Sequence, residues 1–184
     1  IDECQRIADQ MAAEDPHVFV PGQFDNPANP EVHRKYTAME ILEQVDGPID
    51  GFCSGFGTGG TISGIGEVLK EHNPDMEIWA VEPENAAILS GGSIGTHLQM
   101  GIGDGLVPDN LNNQIYDDIY IVTDEEALTT AKNLASMEGL MCGISSGTNV
   151  AAAIQLAGKL GPGKRVVTVL PDTAERYFST PLFE

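Results

Sequence analysis

Basic residues are what this chain most lacks: 9 Lys and Arg stand against 28 Asp and Glu, a formal net charge of −19 at pH 7. Nothing basic is concentrated enough to neutralise phosphodiesters, which excludes a nucleic-acid binder and a protein drawn to an anionic membrane surface. Cysteine is scarce too. Cys4, Cys53 and Cys142 are too few and too scattered for a disulfide framework or a zinc knuckle, and they read as reduced thiols of a cytoplasmic protein. No apolar run reaches the roughly 18 residues of a membrane span, and no signal peptide opens the chain. The four histidines, His17, His33, His72 and His97, lack metal-ligand spacing and partners. An initiator Met is also missing and a helical pattern starts at once, so a piece of a longer protein is expected. The remaining composition is ordinary. Of 184 residues 41% are hydrophobic, without repeats or low-complexity tracts, which suffices for one domain with a real core.

Helical and strand-like patterns alternate along the chain. "DECQRIADQMAAE" (2–14) predicts an amphipathic helix with Ile7, Met11 and Ala12 on one face, and "HVFVP" (17–21) a short strand. A Pro/Asn turn follows, then a helix from about Pro30, with Asn29 as cap and proline at the first helical position. Further strands are expected in "IDGFCSGF" (49–56), "EIWAVEP" (77–83), "DIYIV" (118–122) and "RVVTVLP" (165–171). Helices are expected in 61–73, in 123–139 with Thr123 as N-cap, and in 148–161. Residues 86–113 form a long Gly- and Asn-rich connection, a length usually kept for function. Strands separated by helices imply crossovers, hence a mostly parallel sheet covered on both faces and an α/β class.

Two glycine-bracketed loops at strand ends carry the chemistry. In "CSGFGTGGTISG" (53–64), Gly55, Gly57 and Gly60 spell the G-x-G-x-x-G dinucleotide fingerprint. Glu82 ends the next apolar run, where a ribose-binding acid would stand. Thr58 and Thr61, however, add two hydroxyls that a pyrophosphate site does not require. Three readings compete: a turn shaped by glycine alone, a nicotinamide or flavin loop, and a compact cage for one terminal phosphate dianion at a helix N-terminus. The second loop, "GISSG" (143–147), sets Ser145 and Ser146 at another helix start. Serine there is most often an N-cap. Together, though, one loop suits a phosphate and the other presents a neutral hydroxyl.

The ordered motifs "QFDNPANP … SGFGTGGTISG … AVEP … GIGDGLVP … GISSGTNVAAA … VVTVLPDTAERYFST" resemble the pyridoxal-phosphate β-replacement enzymes of the cysteine synthase (O-acetylserine sulfhydrylase) and cystathionine β-synthase family. The resemblance runs over essentially the whole chain. It implies a three-layer αβα fold of the tryptophan-synthase-β type (pyridoxal-phosphate fold type II), with residues 1–184 as its C-terminal, large domain and the N-terminal domain absent. It implies pyridoxal 5'-phosphate held by Gly57, Thr58, Gly59, Gly60 and Thr61, with Ser145 at the ring nitrogen and Ser146 as a capping hydroxyl. Gln23 matches the glutamine lining the substrate carboxylate site, and Gly101 and Gly103 the backbone that closes over the substrate. Asp104 stands where the family pattern leads one to expect a small or neutral residue, which bears on substrate identity. An amino-acid substrate, a homodimer and the C-terminal tail of serine acetyltransferase are the implied partners. The implied reaction replaces the acetoxy group of O-acetyl-L-serine by sulfide. Cystathionine β-synthase activity is the alternative, and tail binding without catalysis is the alternative of another class.

That chemistry needs a Schiff-base lysine, which is also the base at the α-carbon. Lys35, Lys70, Lys132, Lys159 and Lys164 all read as solvated surface charges, and no "TSGNTG"-type substrate loop is present. No catalytic residue is therefore assigned in this chain, and on its own it is expected to be inactive. Cys142 reads as a small core residue and Trp79 as core. Glu175 and Arg176, beside Tyr177, read as a structural ion pair.

Overall fold

The computed structural model describes residues 2–183. At its centre four parallel strands, β1 (Gly51–Gly55), β2 (Glu77–Pro83), β3 (Asp118–Val122) and β4 (Val166–Thr168), lie in the order β3-β2-β1-β4. Gly51 pairs with Glu77 on one side and Val166 on the other, so β1 is central. Chain order reverses across β1: β2 and β3 are laid on one side and β4 on the other. Such a switch point leaves a crevice outside the carboxyl ends of β1 and β4.

Alternate residues of the strands feed two cores. Phe52, Ile78 and Ala80 face one way and pack with Ile62, Ile65 and Leu69 of helix α4 (Gly60–His72). Cys53, Trp79, Val81 and Val122 face the other way, against α5 (Asp124–Asn133) and α6 (Ile144–Leu160). With both faces covered, β1 is buried throughout and reads as a continuous apolar run. The three-layer αβα expectation is met. Among the described residues no helix is long and apolar enough to cross a membrane.

The N-terminal helix α1 (Asp2–Glu14) matches its expected span, but Ile7 and Met11 remain exposed. Three local expectations need correction. Residues 17–21 form no strand; they pair with none of β1 to β4, and Phe19 is 82% exposed. The helix expected from Pro30 is α2 (Ala28–Val32); Asn26 Oδ1 accepts from Ala28 N at 3.0 Å, while the Asn29 side chain points elsewhere. It runs through a π-helical turn (His33–Thr37) into α3 (Ala38–Gln44). Finally, α6 starts at Ile144 behind Gly143, so Ser145 and Ser146 lie inside its first turn, and neither hydroxyl caps it.

Candidate active site

A cavity of about 810 Å³ opens at the switch point, between the loops that follow β1 and β4. Gln23, Gly57, Thr58, Thr61, Gly101 and Ser145, all singled out in the sequence, line it. Asp104, His33 and Asp172 do so as well. Gly59 and Gly103 lie in the same loops and Gly60 opens α4, but none of the three is a lining residue.

The loop after β1 is shaped by close approach. Gly59 has φ +79, a left-handed conformation that favours glycine, and it immediately precedes α4. A Cβ on Gly60 would lie 2.0 Å from Asn29 Oδ1, and one on Gly57 would lie 2.6 Å from Gly101 O. Asn29 explains the first of these. Its Nδ2 donates to Gln23 O at 2.8 Å and to Thr58 Oγ1 at 2.9 Å, tying the segment before α2 to the loop. Asn110 Nδ2 also donates to Gln23 O, at 3.0 Å, so two asparagines fix the backbone at Gln23. Gly57, Thr58 and Thr61 thus line the cavity at the N-terminal end of α4, the kind of place where unpaired backbone N–H groups and the helix dipole favour an anion.

Across the cavity stands the first turn of α6. Ser145 is 3% exposed, and Asn149 one turn on crosslinks the strand ends: its Oδ1 accepts from Gly55 N at 2.7 Å and its Nδ2 donates to Val169 O at 2.9 Å. Asp172 accepts the Tyr177 phenol on Oδ2, while its Oδ1 is buried without a partner. Burial, then the adjacent carboxylate, pushes the Tyr177 hydroxyl up to about 12, so the phenol stays a donor. The third wall is residues 101–105, where Gly101, Gly103 and Gly105 all have positive φ and Gly103 N donates to Phe56 O at 3.2 Å.

Other sequence candidates lie apart from this site. The Glu82 carboxylate is fully buried and accepts from Leu89 N, Ser90 N and Ser90 Oγ at 2.7, 3.1 and 2.9 Å. It is consumed in holding the long connection and cannot serve a ribose, which removes the support for a dinucleotide reading. None of the five lysines lines the cavity. Cys142 is 5% exposed and borders a separate groove, and burial raises its thiol above the usual range. The Glu175–Arg176 ion pair is not formed among the described residues; Arg176 borders the cavity instead. The sequence reading missed Asn29, Asn110, Asn149 and Asp172 as site-builders. Asn29 lay in a quoted motif, but only its side-chain direction separates a helix cap from a crosslink.

A parallel αβα sheet with a glycine-bracketed loop before a helix at its switch point is a setting that suits a phosphorylated ligand. The family model for pyridoxal-phosphate dependent enzymes matches residues 1–172, and the chain belongs to that family. A cysteine synthase from Staphylococcus aureus (strain Mu50 / ATCC 700699) is 52% identical over 166 residues, covering 90% of this chain and 54% of the relative. The crystal structure of an O-ureido-L-serine synthase superposes with a TM-score of 0.92 at 41% identity, over 97% of this chain and 57% of the other. An O-acetylserine-dependent cystathionine β-synthase from Helicobacter pylori gives 0.91 at 36% identity, over 96% and 57%. The chain thus spans about half the length of the relatives it matches.

The residues present fit such a cofactor. Gly57 and Gly60 have no room for a Cβ, the side chains of Thr58 and Thr61 line the cavity, and Asp172, whose Oδ1 is buried without a partner, lines it too.

Proposed function

We propose that this chain is the large, C-terminal domain of a pyridoxal-phosphate-dependent cysteine synthase, which replaces the acetoxy group of O-acetyl-L-serine by sulfide to give L-cysteine. The observation that carries the reading is the pairing, in one cavity, of the 57–61 cradle with Ser145 on the facing helix. When bound, pyridoxal phosphate supplies the electron sink that acidifies the substrate's α-carbon and lets the β-substituent leave.

The chain's own residues divide the remaining work. Backbone N–H groups of 57–61 and the hydroxyls of Thr58 and Thr61 hold the phosphate through neutral donors and the positive end of α4. Ser145 offers the ring nitrogen a hydroxyl in place of a carboxylate, which leaves that nitrogen unprotonated and favours β-replacement over transamination. Gln23 donates its amide to the substrate carboxylate. Gly101 and Gly103, free of side chains, let the third wall close on the substrate and exclude water. The proton at the α-carbon is moved by a lysine outside this chain.

Cystathionine β-synthase activity is the second reading, favoured by Asp104: a carboxylate at the cavity opposes hydrosulfide, an anion, more than it opposes a neutral thiol. A cytoplasmic homodimer and a cleft that takes the tail of serine acetyltransferase complete the proposal. The test is the intact protein loaded with pyridoxal phosphate and given O-acetylserine with either sulfide or homocysteine. Cysteine as the main product supports the first reading, and cystathionine the second. No amino-acid product from either nucleophile overturns both.

A further inference from the structure

Gln23 stands on a backbone with little freedom. Asn26 Nδ2 donates to Pro21 O at 2.8 Å and Asn26 N donates to Gly22 O at 2.7 Å. Gln23 O accepts from Asn29 and Asn110, and Phe24 O accepts from Asn110 N at 3.1 Å. Every carbonyl from 21 to 24 is therefore engaged. The Gln23 side chain, by contrast, lines the cavity and has no hydrogen-bond partner among the described residues. Asn110 is the part of this platform that comes from elsewhere in the fold. It lies 87 residues further along, in the long connection after β2, is 8% exposed and is not a lining residue of the cavity. Its own carbonyl accepts from Ser63 Oγ at 2.9 Å, and that oxygen accepts in turn from Asn112 N at 2.8 Å. The segment is thereby seated on α4, so closely that a Cβ on Gly59 would lie 2.8 Å from Leu111 N. Asn110 thus sets residues 23 and 24 against the helix whose first turn borders the cavity.

The two asparagines share Gln23 O but differ in their other contacts. Asn29 Nδ2 also donates to Thr58 Oγ1, inside the loop read as phosphate-binding, whereas the Asn110 amide donates to Gln23 O alone among the described residues. One asparagine therefore couples Gln23 to the phosphate loop, and the other bears on Gln23 only. A glutamine side chain has three rotatable bonds, so where its amide ends up depends first on where its backbone is held. Resting on the reading of Gln23 as the donor to the substrate carboxylate, we propose that Asn110 is a positioning residue for the amino-acid substrate. Its amide fixes the backbone at Gln23, and so the place where the Gln23 side chain meets the carboxylate, without acting on the phosphate loop. A binding group displaced by about 1 Å loses up to 10²-fold in rate. Asn29 and the Asn110 backbone N–H still hold residues 23 and 24 when the Asn110 amide is removed, so the loss falls below that limit.

The experiment makes two measurements on the intact protein: steady-state kinetics with O-acetylserine and sulfide when loaded with pyridoxal phosphate, and calorimetry with inorganic phosphate when freed of it. Asn110→Leu keeps the size and removes the donor. It should lower kcat/KM for O-acetylserine about tenfold through KM, with kcat within about twofold of wild type. Its phosphate affinity should stay within about twofold, because the Asn29–Thr58 bond is untouched. Asn29→Ala should lose on both measurements. Gln23→Ala should lower kcat/KM at least as far as Asn110→Leu, and in the double variant the two losses should not multiply, since Asn110 acts only through Gln23. Asn110→Asp has the same shape without the N–H and carries the same expectation if the leucine variant fails to fold. A wild-type KM in the Asn110 variants, losses that multiply with Gln23→Ala, or an equal fall in phosphate affinity and kcat/KM overturns the positioning role while the function proposed above stands. Wild-type protein that binds phosphate but does not turn over O-acetylserine overturns the substrate reading and this inference with it.

Discussion

Gly57 sets one of the tightest distances in the site. Its absent Cβ is what lets Gly101 O approach, since a methyl there would stand 2.6 Å from that oxygen, well inside contact. Gly57→Ala should therefore push the 101–105 wall away from the cradle and weaken inorganic phosphate at least about tenfold, as calorimetry would measure. Asp104 acts in the opposite direction. Its Oδ2 lies 3.0 Å from the same Cβ position, and it has no hydrogen-bond or ion-pair partner among the described residues. Asp104→Asn should tighten phosphate a few-fold at low salt by removing a like charge, and the gain should fade as salt screens the site. If the variant binds no more tightly at low salt, the Asp104 carboxylate does not set anion preference. At this scale the sequence was legible where spacing carries the chemistry: Gly57, Thr58, Thr61 and Ser145, all singled out by motif, line one cavity. Asn29 and Asn110 were not legible, because a crosslink between segments 29 or 87 residues apart leaves no local pattern.

Elements were read with uneven accuracy: β1 and β4 are shorter than the expected 49–56 and 165–171. The spans of β2 and β3 equal the expected ones, and Thr123 caps α5 in a full capping box with Glu126. Thr123→Ala should cost about 1 kcal/mol in urea unfolding, because two N-terminal backbone donors lose their arrangement together. The two π-helical turns, at His33–Thr37 and Leu134–Glu138, had no readable signal; periodicity does not separate 3.6 from a single wider turn. The long connection after β2 behaves as an element of its own, pinned from inside by the buried Glu82 carboxylate. Glu82→Ala leaves three donors unsatisfied, a loss of about 2 kcal/mol or more. Amide exchange at Leu89 and Ser90 should rise by tens-fold, and closure over the cavity should weaken with it. Unchanged exchange at both amides would mean that the connection is held elsewhere.

For the whole molecule, the fold brings the proposed cofactor-binding residues to one cavity in a chain none of whose lysines lines it. Lys35 pairs with Glu31 at 3.1 Å, Lys70 with Asp117 at 2.8 Å, Lys164 with Asp50 at 2.8 Å, and Lys159 with Glu77, while Lys132 borders a separate groove. On the proposed function, anion binding and covalent attachment of the cofactor are therefore physically separable, since none of the five lysines lines the cavity. The chain on its own should bind pyridoxal phosphate reversibly through the cradle, in competition with inorganic phosphate. Borohydride treatment, which fixes an imine between the cofactor aldehyde and an amine, should leave its mass unchanged at cofactor concentrations that fill the site. The intact protein should gain one cofactor mass under the same treatment, on a lysine outside these residues. Stoichiometric labelling of one of the five lysines of this chain would show that a side chain now paired at the surface reaches the cavity, and the division of labour proposed here would fall.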